Sequence, residues 1–105
     1  MYFKTAFAAI LCLAGCEDTT CETGEIMAAV MSTHFVEAQL RSPSTAEFQA
    51  ARNAKVMKMK PCEFRVLSYV DAQNGFGGIV RTNYSILMTY NPKTEGWLGS
   101  DLSMQ

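Results

Sequence analysis

The chain reads as an α+β domain: one N-terminal helix packed on a three- to four-stranded antiparallel β-meander. Three observations predict it. Apolar residues recur at helical spacing up to Pro43. Beyond residue 54 they alternate with polar ones, the period of a strand. Turn residues at Asn74-Gly75 and Asn91-Pro92 cut that second half into short segments. A chain of 105 residues has room for one small core, and there is no internal repeat or second domain.

The helix is expected from Glu22 or Gly24 to Leu40. Thr23 is its candidate cap, Glu22 and Glu25 suit the positive end of its dipole, and Arg41 suits the other end. Ser42 and Pro43 end it. Ile26, Ala29, Ser32, Thr33, Val36 and Leu40 share one side, which is the expected core face. Met27, Met31, His34 and Ala38 lie nearly opposite, with Phe35 on the flank. Methionine adapts to irregular partners, so Met27, Met31 and His34 are candidate contacts for a protein or a lipid surface. The bland alternative is that both methionines fill the sides of a thin core. His34 is the only histidine and reads as a surface residue rather than a metal ligand.

Residues 42–53 read as a connection with one helical turn at most. Three or four strands are then expected: Ala54–Met59, Cys62–Asp71 and Gly78–Tyr90, with Gly96–Leu102, carrying Trp97, as the optional short fourth. Phe64, Val66, Ser68 and Val70 share one face of the second. Val80, Thr82, Tyr84, Ile86 and Met88 share one face of the third. Val36 and Leu40 should meet this side of the sheet. Asn74-Gly75 invites a tight turn, and Gly77 and Gly78 permit a bulge. Asp71 and Arg81 should pair across the hairpin. Gln73 and Asn74 can satisfy turn backbone groups. Phe76 either folds back or stands out as an anchor. The tip residues Asp71, Gln73, Asn74, Phe76 and Arg81 are therefore the second set of partner-binding candidates.

The first fifteen residues read as a signal peptide outside the fold. Lys4 supplies a positive charge, TAFAAILCLA is a short apolar run, and Glu17 and Asp18 follow the break. The run is too short for a membrane-spanning helix, which needs about 20 apolar residues. Leu13-Ala14-Gly15-Cys16 resembles the lipobox of bacterial lipoproteins. That resemblance implies a diacylglyceryl group on the Cys16 thiol, cleavage before it and an acylated new amino terminus. Glu17, where aspartate would favour inner-membrane retention, implies the outer membrane, with the protein lipid-anchored on its periplasmic face. The expected organisation is a signal peptide over 1–15, a lipidated tether over 16–21 and one domain over 22–105.

Cys12 leaves with the signal peptide and Cys16 carries lipid. Cys21 and Cys62 remain, and in an oxidising compartment they predict one disulfide. Two free or intermolecular thiols are the alternative. Without Lys4, the mature chain has eight basic and ten acidic residues, which argues against nucleic acid as a partner. Arg52, Lys55, Lys58, Lys60 and Arg65 cluster. They fit an acidic partner or, more simply, a solvated strand edge that lysine protects from pairing.

Two stretches are similar to a group of small bacterial and phage-borne exported domains of poorly defined function. They are SPSTAEF at 42–48 and YVDAQNGFG at 69–77, continuing through Val80-Arg81-Thr82-Asn83-Tyr84. The similarity spans about Phe35 to Tyr90 and implies the helix-and-hairpin fold but no chemistry. Many members place a cysteine three residues before the helix Phe-Val pair and another after the third strand's threonine-rich segment. Here those places hold Ser32 and Ile86, so that bridge is lacking.

No nucleophile has a base beside it, and no Gly-rich loop opens a helix. Only Glu63 and Asp71 would make an acid pair, if the strand register joined them. No cofactor, metal or nucleic acid is expected. The leading reading is a non-enzymatic, lipid-anchored module that binds an outer-membrane or other envelope protein. Its concrete form is a phage- or plasmid-borne lipoprotein that blocks a receptor against a second phage. The rival readings are an accessory subunit of a secretion or conjugation machine and, at a distance, a small cell-wall-acting enzyme.

Overall fold

The computed structural model describes residues 18–105; the segment read as a signal peptide and Cys16 lie outside them. One main helix packs on an open antiparallel sheet, the α+β architecture expected. The elements are α1 (Thr20–Thr23), α2 (Glu25–Glu37), β1 (Glu47–Phe48), β2 (Lys55–Lys60), β3 (Glu63–Gln73), β4 (Ile79–Asn91) and β5 (Gly96–Met104). Single 3-10 turns cover Pro43–Thr45 and Ala51–Asn53. β3, β4 and β5 run side by side, and both β1 and β2 pair with the other edge of β3.

The helical segment is broken, not continuous from residue 22 or 24. Gly24, at φ -88 and ψ 23, separates α1 from α2, and the junction requires glycine: a β-carbon there would sit 2.5 Å from the Thr20 carbonyl oxygen. Thr23 does not cap α2. Its hydroxyl donates back to the Thr19 carbonyl (3.1 Å) and closes α1. Past Glu37 the coil tightens, with the Gln39 and Leu40 amides donating to the Val36 and Glu37 carbonyls, so α2 ends three residues before the expected Leu40.

The face that α2 buries is rotated from the expected one. Ala28, Ala29, Ser32 and Val36 are buried, whereas Ile26 is exposed. Residues 26–31 are apolar without interruption, so hydrophobicity alone cannot orient this part of the helix. Size orients it. The small Ala28, Ala29 and Ser32 allow close approach to the sheet, and Phe35 and Met31 wedge in at the side. Phe35 requires Gly99 on β5: a β-carbon at 99 would lie 2.8 Å from the Phe35 ring and 2.9 Å from Ile86 Cδ1.

The core is the cluster Ala28, Ala29, Val36, Phe64, Val66, Val70, Tyr84, Ile86 and Met88. The strand residues in it are the alternate ones expected, since period-2 alternation leaves only one choice of face. Ser32, the buried polar residue, donates to the Ala29 carbonyl at 2.7 Å and lies 3.3 Å from the Tyr84 hydroxyl. Ser32 and Ile86 both sit in this core, on facing elements.

At one end of the sheet three segments are tied together. The Cys21–Cys62 disulfide joins α1 to the β2–β3 turn. The Cys62 amide donates to the Cys21 carbonyl (3.2 Å), and the Tyr90 amide donates to the Cys62 carbonyl (2.8 Å). Pro61 and then Cys62 at φ 70 follow the pattern of a type II turn. The Tyr90 hydroxyl donates to Asp18 Oδ2 at 2.6 Å. Segment 16–21, read as a tether, is thus engaged with the domain from Asp18 onward. At this stapled end Tyr90 and Trp97 pack with ring centroids 5.0 Å apart.

Candidate partner-binding surfaces

The β3–β4 hairpin carries five of the expected site residues at the opposite end of the sheet. Its register sets Asp71 directly across from Arg81. They form a forked pair, Nε to Oδ1 at 2.8 Å and an Nη nitrogen to Oδ2 at 2.9 Å. The Arg81 guanidinium also lies 3.7 Å from the centre of the Tyr69 ring, which holds the fork flat on the sheet. These hydrogen bonds from Arg81 hold the Asp71 carboxyl below the usual carboxylate range and raise the guanidinium.

The tip is not the two-residue turn that Asn74-Gly75 suggests. It is a five-residue loop organised by the Asn74 side chain. Asn74 Oδ1 accepts from the amides of Phe76 (2.9 Å) and Gly78 (3.0 Å). The Asn74 amide donates to the Gly78 carbonyl, and Gly77 donates to the Asn74 carbonyl. Gly77, at φ 82, takes the left-handed position. An asparagine side chain can replace the backbone bonds of a tighter turn, and here it does. The result stands Phe76 out with 99% of its surface exposed. Gln73 is fixed through its amide, which donates to the Thr45 hydroxyl oxygen at 3.0 Å; its side chain is exposed. The SPST segment therefore buttresses the hairpin. Arg41, just past α2, lies beside the loop, 3.5 Å from where a Gly75 β-carbon would be.

The helix candidates do not act as one set. His34 is exposed on the outer face of α2. Met27 is half exposed beside Ile26 and Val30. Met31 instead turns toward the core and packs against it. Met27 and Met31 line one open depression of about 280 Å³ with Thr20, Tyr90, Glu95 and Trp97. Cys16 lies outside the described residues.

Other residues were not singled out by spacing. The sheet face away from α2 exposes Met57, Leu67, Ile79 and Leu98. It is crossed by Arg65, which donates to Asp101 Oδ2 (2.9 Å) and to the Ser85 hydroxyl (3.3 Å). Asp101, at φ 53, sits in a bulge where the β4–β5 register shifts between Ser85 and Leu87. The notch between β1 and β2 along β3 holds an open depression of about 420 Å³, lined by Gln49, Asn53, Lys55, Leu67, Ser68, Tyr69, Asn83 and Tyr84. That lining includes one lysine and neither carboxylate nor histidine. Lys55, Lys58 and Lys60 lie along β2, an edge strand, so the basic cluster is largely a charged sheet edge.

The register also separates the acid pair weighed above. Glu63 faces Thr89 and Asp71 faces Arg81, eight residues apart on one strand, or about 26 Å. Among the described residues no group of histidine, cysteine, aspartate and glutamate side chains is placed to hold a metal ion. Among them, too, no helix is long and apolar enough to cross a membrane. Compared with family models, curated proteins and solved structures, the chain matches none.

Proposed function

We propose that this protein is a lipid-anchored binding module of the bacterial envelope that works by occupancy rather than by chemistry. Phe76 carries the reading. Its ring buries nothing in the fold and so is free to be buried by a partner, and aromatic side chains are enriched at protein interfaces. It stands on a loop whose backbone is already held by Asn74, so little ordering entropy remains to be lost on binding. Asp71, Gln73 and Arg81 beside it supply a polar rim. Acylation of Cys16 would hold this tip near envelope proteins, and the partner in this reading is an outer-membrane protein used as a receptor by phage. Binding there would occlude the receptor and exclude a second infection.

A photocrosslinking amino acid at Phe76 in intact cells tests the partner. Capture of an outer-membrane receptor, with reduced plating of phages that use it, supports the reading. Capture of a secretion or conjugation assembly instead supports the accessory-subunit alternative. Phe76→Ala should leave stability within about 0.5 kcal/mol, as for other exposed positions, while abolishing exclusion. Unchanged plating of a receptor-diverse phage panel on cells making the wild-type protein would overturn the exclusion role.

A further inference from the structure

The outer face of α2 changes character along its length. Ile26, Met27 and Val30 are 55%, 48% and 41% exposed. Further along, the same face carries Thr33, His34 and Glu37. Val30 and Glu37 are about 10 Å apart along the axis. The apolar half is at the stapled end, the end where the chain arrives from Cys16. Asp18 is fixed there by Tyr90, and Cys16 is two residues before it, within about 7 Å of extended chain. Any acyl group on Cys16 would therefore enter lipid close to the first turns of α2.

We propose that Ile26, Met27 and Val30 bed in the headgroup–acyl boundary of the bilayer that holds lipidated Cys16. The inference rests on the lipid-anchor reading and adds an orientation to it. The acidic groups around this face are Asp18, Glu22, Glu25 and Glu37, and the elements packed against α2 carry Arg52, Lys55, Lys58 and Lys60, of which Lys58 places its Nζ 3.3 Å from the Glu22 carbonyl. Acids and bases balance, so the surface has no net positive charge to draw it to anionic headgroups. The contact is apolar burial, as for an interfacial helix without its basic flank. It would set α2 against the membrane at its first turns and direct the β3–β4 tip away, toward partners.

The test uses the product purified from cells expressing the whole chain, in phosphatidylcholine vesicles with bromine on the upper acyl chain. An environment-sensitive fluorescent amino acid replaces Ile26, Val30, Glu37 or Phe76 in turn, and intact mass reports the acyl groups. Emission at 26 and 30 should be blue-shifted and quenched, at 37 weakly quenched, and at 76 untouched, with no change on adding phosphatidylglycerol. Acyl mass present with positions 26 and 30 as water-accessible as 76 overturns the docking and spares the anchor. Quenching that needs phosphatidylglycerol also overturns it, since charge would then be the cause. Absence of acyl mass on Cys16 removes the anchor and the docking together.

Discussion

The two ends of the sheet achieve order by different means. At the stapled end, a covalent bond, two backbone hydrogen bonds and the Asp18–Tyr90 contact join α1, the β2–β3 turn and the end of β4. At the hairpin end, one asparagine side chain and the Asp71–Arg81 fork do the work without burial. The first arrangement restrains the unfolded chain as well as the folded one. The second restrains only a few residues and leaves their surface in water. A protein that must present a side chain to a partner gains from the second arrangement, because a buried tip would have nothing to offer.

The comparison breaks most visibly at the disulfide. Cys21→Ser with Cys62→Ser opens a loop of 41 residues and should cost about 2–4 kcal/mol. Chemical denaturation with and without reductant reads this directly. Amide exchange at Phe76 and Gly78 should stay as it is in wild type, because nothing in the tip leans on the staple. Asn74→Ala is the converse. It removes the acceptor of two tip amides and should cost about 1 kcal/mol, with faster exchange confined to residues 75–78 and weaker capture at Phe76.

Acid gives the smallest and most even-handed effect, since each end has one carboxylate with a depressed pKa. The Thr20 side chain, then the Tyr90 phenol and the Thr20 amide, lower Asp18, while Arg81 lowers Asp71. Both contributions are present above the unfolded-state carboxylate value and fade as pH falls through the lower folded values. Stability should therefore hold through mild acid and decline below about pH 3.8. In Asp71→Asn that decline should shrink, and in Tyr90→Phe the Asp18 share alone should shrink. The same contact has a second limit at alkaline pH: by accepting the phenol's hydrogen bond Asp18 raises Tyr90, so on that side it is lost as pH climbs through the raised value.

Much of the fold was legible because strands betray their faces. Alternation put Phe64, Val66, Val70, Tyr84, Ile86 and Met88 on one side, and proximity to the turn suggested the Asp71–Arg81 pair, but the register that sets them opposite came from the five-residue loop and not from the expected turn. The Cys21–Cys62 bond followed from counting. The helix was less legible, because six apolar residues in a row at 26–31 leave its rotation to side-chain size, and only packing reveals that alanine and serine face the sheet. The site was legible in its residue types but not in its geometry. The Asn74 loop competes with a two-residue turn of nearly equal appeal, and a single side chain decides between them. β1 is two residues long, too short for any periodic signal. The contacts of Arg65 with Asp101 and of Asp18 with Tyr90 join residues 36 and 72 positions apart, beyond any local pattern.

The kink at Asp101 matters for crowding. β5 is an unpaired margin of the sheet, nine residues long, and a straight ribbon of that length would offer its amides and carbonyls to a neighbouring molecule. The extra residue throws the rhythm of those groups off midway, and the opposite margin at β2 answers with lysines. Copies gathered at high density on a surface can therefore jostle without zipping edge to edge into fibres.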